Sequence, residues 1–310
     1  MNRTAARALR VGASIVLLGA VIAVLPRDEL VAAFRQASLR VLGLATMLFV
    51  LCHVAAACKW RMLMGRSTDV PWSKAVRAHF TGLVGNLSPL GMIGGDLVRA
   101  GVAINGSKQS SAIMLTSVVD RIVDTAALMI VSLVGFAWIG GRSATAGIVL
   151  LAGFVVSVGG IGVLLAANAV LKRTQNVRLA GMRSAFDLLV QHPGLIAGAL
   201  LMSVTIQGTL IAVNAYVGAS VGVDTSFAAW LLAWPAAKFA GYLPIGFGGF
   251  GVRETALVGL LAPFGGAPGP VLAAGVLWDA VLILGSLGGW LLLSVLFTAP
   301  LYTVPGVQKT

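Results

Sequence analysis

Two interrupted apolar stretches decide the fold of this chain. The first contains Asn86-Leu-Ser-Pro-Leu-Gly-Met-Ile-Gly-Gly-Asp96, and the second contains Tyr242-Leu-Pro-Ile-Gly-Phe-Gly-Gly-Phe-Gly251. Proline removes a backbone donor and clashes with the preceding helical turn, while clustered glycines permit non-helical backbone. Each stretch is therefore predicted to form two short helices joined by a break, over residues 75–105 and 227–261. An arm of about 12–15 residues is roughly 18–22 Å long, too short to cross about 30 Å of hydrocarbon.

The chain as a whole has the composition of an all-α polytopic membrane protein. Of its 310 residues, 58% are hydrophobic and only 10% are charged. A soluble domain has about 25% charged residues, so a soluble globular enzyme, a disordered chain and a disulfide scaffold are excluded. Six further apolar stretches are long enough to span the bilayer. They run approximately over Ala8–Leu25, Val41–Met64, Ala112–Ile139, Ala144–Leu171, Leu195–Val217 and Pro270–Phe297.

The net charge of +12 is interpreted as a topology signal. No basic stretch carries a nucleic-acid-binding motif, so a nucleic-acid partner is not expected. With a cytoplasmic N-terminus and both broken stretches re-entrant, 14 Lys and Arg residues, Lys59 among them, lie in cytoplasmic segments and 4 lie outside. If each broken stretch crosses the membrane once, the split is only 10 to 8. The positive-inside rule thus favours six membrane-spanning helices, two re-entrant hairpins and cytoplasmic termini.

The two halves of the chain resemble each other. Gly94-Gly95-Asp-Leu-Val-Arg99 matches Gly248-Gly249-Phe-Gly-Val-Arg253 at an offset of 154, and Asp124 falls opposite Asp279 at nearly the same offset. Three crossings per half would invert the second copy, and paired glycine- and proline-interrupted segments mark the substrate site of such transporters. An inverted repeat is therefore predicted, with halves 1–155 and 156–310. Its hinge positions are Pro89, Gly94, Gly95, Pro244, Gly248, Gly249 and Gly251.

Half of the ten acidic residues fall inside apolar stretches, although a charge at membrane depth costs at least about 2.5–3.5 kcal/mol. Arg99 and Arg253 follow the two breaks, and a guanidinium matches phosphate oxygens through two parallel hydrogen bonds. Both are predicted to bind an anionic headgroup, and the further predicted substrate contacts are Asn86, Lys238 and Tyr242. A network of charges would hold the arginines: Asp96, Asp120, Arg121, Asp124, Glu254 and Asp279. In the structural alternative, the same ion pairs only lock the hairpins into the bundle.

Other classes of site are not expected. The chain lacks a G-x-x-x-x-G-K-[ST] phosphate loop, a G-x-S-x-G nucleophile motif and a zinc-protease signature. His53 has no second ligand nearby in the sequence, so it does not indicate a metal site. We therefore expect no metal, no cofactor and no catalytic residues.

The motifs together resemble those of the lysylphosphatidylglycerol synthase transmembrane-domain family, also called flippase-like. The resemblance rests on N-x-x-P…G-G-D-x-x-R from Asn86 to Arg99, on Asp120-Arg121…Asp124, and on L-P…G-G-x-G-x-R-E from Leu243 to Glu254. It covers about residues 10–298. In its best-known members this domain moves aminoacylated phosphatidylglycerol between leaflets and is fused to a soluble aminoacyl transferase. The resemblance implies a stand-alone member of the family, without that transferase, in the bacterial cytoplasmic membrane.

The expected function is therefore transport of an anionic membrane lipid, either a phospholipid or a polyprenyl-phosphate-type lipid. Two alternatives stay open. The carboxylate cluster could serve acid–base chemistry in a membrane enzyme acting on a lipid. Alternatively, the protein could be a non-transporting partner of a lipid-modifying enzyme.

Overall fold

The computed structural model describes residues 35–88, 91–139, 180–241 and 250–296, with six isolated helical positions between 147 and 170. Across these ranges the regular structure is helical throughout, which confirms the predicted all-α class. The described residues form nine α-helices, and a short 3-10 helix, Ala262–Phe264, follows the eighth. The helices are α1 Leu39–Met64, α2 Trp72–Asn86, α3 Gly91–Ile104, α4 Ser110–Trp138, α5 Ala180–Gln191, α6 Pro193–Ser220, α7 Phe227–Ala240, α8 Val252–Leu261 and α9 Pro268–Leu296.

Within the described residues, three helices, α1, α6 and α9, are long and apolar enough to cross a membrane, with 26, 28 and 29 residues. α4 also has 29 residues but carries three charged side chains, Asp120, Arg121 and Asp124. At 1.5 Å per residue, helices of this length exceed the roughly 30 Å hydrocarbon core. Their ends lie within three residues of the predicted spans. The predicted spans Ala8–Leu25 and Ala144–Leu171 lie outside the described residues, apart from the isolated helical positions.

The two interrupted stretches each contribute a pair of short helices. α2 packs against α3, and α7 packs against α8. The four helices have 15, 14, 14 and 10 residues, which corresponds to about 15–22 Å at 1.5 Å per residue. Two of the predicted hinge positions, Gly94 and Gly95, lie inside α3, which begins at Gly91. α2 ends at Asn86, and the next two residues, Leu87 and Ser88, are not helical.

Glycines determine how closely α2 and α3 approach each other. A Cβ atom at Gly82 would lie 2.8 Å from the carbonyl oxygen of Gly95. A Cβ atom at Gly95 would overlap both that turn of α2 and the side-chain amide of Asn86. Gly95 thus serves close helix packing rather than a break in the helix.

The helix contacts repeat between the two halves of the described chain. α1 packs against α6, and exchanging α1–α4 for α6–α9 in order maps each of the other main contacts within this set onto a second one. The matched contacts are α1–α2 with α6–α7, α2–α3 with α7–α8, α3–α4 with α8–α9, α1–α4 with α6–α9, α2–α9 with α7–α4, and α1–α9 with α6–α4. α5 stands apart from this exchange and packs against α4 and α6.

The largest buried apolar cluster lies where α1, α2, α6, α7 and α9 meet. Aromatic rings form its centre. The ring of Trp234 lies 5.3 Å from that of Trp278 in an edge-on arrangement, and the ring of Phe49 lies 6.0 Å from Trp278. Such edge-to-face pairs are a favoured geometry for aromatic side chains. They form one wall of the cavity described next.

Candidate functional site

A cavity of about 780 Å³, including its mouth, opens between the two short-helix pairs. Residues beside both breaks line it: Asn86, Leu87 and Met92 from the first, and Lys238, Gly241 and Arg253 from the second. The other described lining residues are mainly apolar: Phe49, His53, Leu83, Leu210, Trp234, Trp278 and Leu282. Packing of the helices therefore brings residues that flank the two breaks, far apart in sequence, to one common space.

The charged side chains among the described lining residues are basic. Lys238 and Arg253 supply two positive charges, and no described lining residue is acidic. Lys238 Nζ donates to Gln207 Oε1 of α6 at 3.1 Å. The Nδ1 atom of His53 lies 3.1 Å from Nε2 of His79, so one imidazole donates to the other. The lining thus suits an anion among apolar surroundings.

Arg253 is held in place by two carboxylates and a tryptophan ring. Its Nη2 lies 2.9 Å from Glu254 Oε1 and also pairs with Asp279 of α9. The guanidinium carbon lies 5.6 Å from the centroid of the Trp234 ring, within the range of a cation–π contact. Gly251, with a φ of +82°, leads the chain into α8 and donates its N–H to Glu254 Oε2 at 2.5 Å. Glu254 therefore both caps its own helix and holds the arginine.

Arg99 lies in a separate buried cluster and is not among the cavity-lining residues. It is 2% exposed, its Nη1 lies 2.9 Å from Asp120 Oδ2, and its Nη2 lies 3.6 Å from Asp96 Oδ1. Its guanidinium carbon lies 4.5 Å from the ring centroid of the fully buried Trp60. Arg121 joins this cluster through Asp96 at 2.5 Å. The two arginines predicted to converge on one anion thus have different surroundings, and only Arg253 reaches the cavity.

Lys59 is a member of the buried charge network that the sequence analysis does not include. The positive-inside count places it among the cytoplasmic charges, whereas the structure shows it 1% exposed within α1. Its Nζ pairs with Asp124, lies 3.1 Å from Asp120 Oδ1, and donates to Ser203 Oγ of α6 at 2.7 Å. Ser203 Oγ also donates to Asp124 at 2.7 Å. The available signal was the position of Lys59 inside the predicted span Val41–Met64.

The ion pairs of this charge network join five carboxylates to four cations of the described chain. The carboxylates are Asp96, Asp120, Asp124, Glu254 and Asp279, and the cations are Lys59, Arg99, Arg121 and Arg253. Each of these charges is thus paired, as expected for charges removed from water. Lys238 differs, because it bonds to the neutral amide of Gln207.

The remaining predicted positions are placed as follows. Tyr242, Pro89, Pro244, Gly248 and Gly249 lie outside the described residues. Asn86 is the last residue of α2 and lines the cavity. Within the ranges that the structure describes, no three His, Cys, Asp or Glu side chains are grouped so as to hold a metal ion.

Comparison with protein families agrees with the resemblance noted in the sequence. The family described as Lysylphosphatidylglycerol synthase TM region matches residues 7–289, a span that includes both interrupted stretches and all but the end of α9. A comparison with curated proteins finds no match. The family and the long apolar helices together indicate a multi-pass membrane protein related to lipid handling. The chain belongs to the lysylphosphatidylglycerol synthase transmembrane-region family.

Proposed function

We propose that this protein is a flippase-like transporter that moves an anionic lipid between the leaflets of the bacterial cytoplasmic membrane. The observation that carries the proposal is the cavity bounded by both short-helix pairs, with the side chains of Lys238 and Arg253 among apolar walls. Binding sites between discontinuous helices are a recurring feature of secondary transporters. The headgroup would occupy the cavity while the acyl chains stay in the bilayer.

The helix arrangement supports an inverted repeat with re-entrant hairpins. Each helix of the pairs α2–α3 and α7–α8 is shorter than the hydrocarbon core, so one helix alone does not span it. The exchange of α1–α4 for α6–α9 preserves the helix contacts, as expected if halves 1–155 and 156–310 share one architecture. In this topology both termini are cytoplasmic.

Alternating access would follow from rocking one half against the other. The buried Lys59 cluster lies across the boundary, because Lys59 and Asp124 belong to the first half and Ser203 belongs to the second. A rocking motion would therefore break the contacts of Ser203 with Lys59 and Asp124, while the ion pairs of Lys59 with Asp120 and Asp124 stay within the first half. The network would hold two discrete arrangements rather than a continuous range, because close-packed helix interfaces are bistable.

The ion pairs favour a binding role over acid–base catalysis. A general acid or base must exchange a proton with its substrate, whereas the five carboxylates are held by cations. The alternatives stay distinct by assay: an enzyme would release a modified lipid, and a non-transporting partner would co-purify with a lipid-modifying enzyme without moving lipid.

The proposal is tested by translocation in proteoliposomes that contain acyl-labelled fluorescent phosphatidylglycerol, with dithionite reduction reporting the outer leaflet. The wild-type protein should let dithionite reach about all of the label, and Arg253→Gln should slow this strongly. Lys108→Gln, at an exposed lysine in the loop between α3 and α4, serves as the matched charge control. Two results would contradict the proposal. One is translocation at the wild-type rate by correctly folded Arg253→Gln. The other is a wild-type protein that moves neither phosphatidylglycerol nor a polyprenyl phosphate.

A further inference from the structure

We infer that the cavity selects a phosphate headgroup that carries no ammonium group, and that Lys238 is its primary contact. The inference rests on the proposed function and narrows it, because it separates phosphatidylglycerol-like and polyprenyl-phosphate-like lipids from aminoacylated ones. It also gives the two cations at the cavity different roles, since Arg253 is neutralised by carboxylates whereas Lys238 bonds to a neutral amide.

Lys238 has positive charge to offer. Its ammonium group carries three donors, and Gln207 accepts one of them. Within the described residues no carboxylate lies within ion-pair distance of Lys238, whereas Arg253 pairs with two. Lys238 lies in the last turn of α7, near the negative end of the helix dipole. The dipole therefore stabilises its positive charge when no anion is bound. An incoming phosphate would therefore bind Lys238 first.

Arg253 is better suited to position the site than to bind the anion alone. Glu254 and Asp279 together outweigh its single charge, and its guanidinium lies near the Trp234 ring. A phosphate competing for Arg253 would have to displace a carboxylate. Arg253 instead forms part of the cavity wall, and the side-chain amide of Asn86, which also lines the cavity, would donate to a second phosphate oxygen.

An ammonium-bearing headgroup finds no partner in the described lining. No acidic side chain is found among the described residues of the lining, and the ammonium group of a lipid would lie close to Lys238 and Arg253, which carry like charge. An ammonium group can also bind over the face of an aromatic ring. The Trp234 ring is already engaged, because Arg253 lies near it and Trp278 meets it edge-on. Lysyl and ethanolamine headgroups are thus disfavoured by electrostatics, not by size.

Native mass spectrometry of the purified full-length protein tests this selectivity directly. The probes are phosphatidylglycerol, phosphatidylethanolamine and lysylphosphatidylglycerol, added at equal concentrations. We expect phosphatidylglycerol to be retained at least about tenfold better than either ammonium-bearing lipid, the scale of one charge-assisted hydrogen bond. Lys238→Gln, which can still bond to Gln207, should abolish that preference, while Lys238→Arg and the control Lys108→Gln should keep it. Glycerol 1-phosphate, which lacks acyl chains, should not displace the lipid at comparable concentration.

Two results would overturn the inference: equal or better retention of lysylphosphatidylglycerol, or an unchanged preference in Lys238→Gln. Displacement by glycerol 1-phosphate would keep the phosphate contact but reject a lipid as the occupant of the cavity. The translocation assay separates this inference from the proposed function. Selective binding without any translocation would reject transport and keep the headgroup assignment. Translocation of lysylphosphatidylglycerol as fast as phosphatidylglycerol would keep transport and reject the assignment.

Discussion

Replacing Lys59 by methionine should destabilise the protein more than removing any exposed lysine. Lys59 is 1% exposed and serves two carboxylates, of which Asp120 is 2% exposed. Its removal leaves two cations, Arg99 and Arg121, against three acids in the cluster. Breaking a buried pair by removing one partner costs about 3–5 kcal/mol, because the other charge stays buried and uncompensated. The unfolding equilibrium constant should therefore rise by roughly two to four orders of magnitude.

The assay is equilibrium unfolding of the purified protein in detergent, followed by tryptophan fluorescence. The matched control, Lys108→Met, removes an exposed lysine and should change stability by less than about 0.5 kcal/mol. Adding Asp124→Asn to Lys59→Met restores charge balance in the cluster. The double variant should therefore be more stable than the sum of the two single effects predicts, by at least about 1 kcal/mol. Equal stability of Lys59→Met and Lys108→Met, or strictly additive effects, would refute the reasoning.

Three further outcomes are expected. Gly95→Ala should destabilise the α2–α3 pair by about 1–3 kcal/mol through overpacking in the same unfolding assay. A Cβ atom at Gly101 in the same helix meets no atom within 4 Å, so Gly101→Ala should be neutral or slightly stabilising. Equal effects of the two substitutions would contradict the packing account. Ser203→Ala should cost about 1.5–3 kcal/mol, since its hydroxyl bonds to both Lys59 and Asp124, and a cost below 0.5 kcal/mol would argue against that network. Lys108→Cys, in a background with both native cysteines replaced by alanine, should react with a membrane-impermeant maleimide in inside-out vesicles only; labelling in right-side-out vesicles would reject the topology.

The long helices could be predicted because their signal is local. A run of about 20 apolar residues is sufficient to indicate α1, α4, α6 and α9, and the predicted ends lie within three residues of the observed ones. The short-helix pairs could also be predicted, since proline and clustered glycine interrupt an otherwise apolar stretch. The start of α3 could not be predicted, because Gly94 and Gly95 also fit a helix that packs closely against its neighbour.

The candidate site was only partly predictable because it depends on packing between distant segments. Lys59 and Ser203 are 144 positions apart, and no local pattern indicates that they meet. The same holds for the cavity, where Phe49 and Trp278 come from opposite ends of the described chain. The position of Arg99 and Arg253 in apolar stretches made both candidates for binding an anion. Only the fold shows that Arg99 is buried in a separate cluster and that Arg253 lines the cavity.

The most direct test of the central claim is a cryo-electron microscopy structure of the protein in nanodiscs that contain phosphatidylglycerol. The account predicts phosphate density in the cavity between the two short-helix pairs, in contact with Lys238, and its loss in Lys238→Gln. A cavity filled only by acyl chains, or phosphate density confined to the outer surface of the helices, would contradict the claim that the two breaks form one headgroup site.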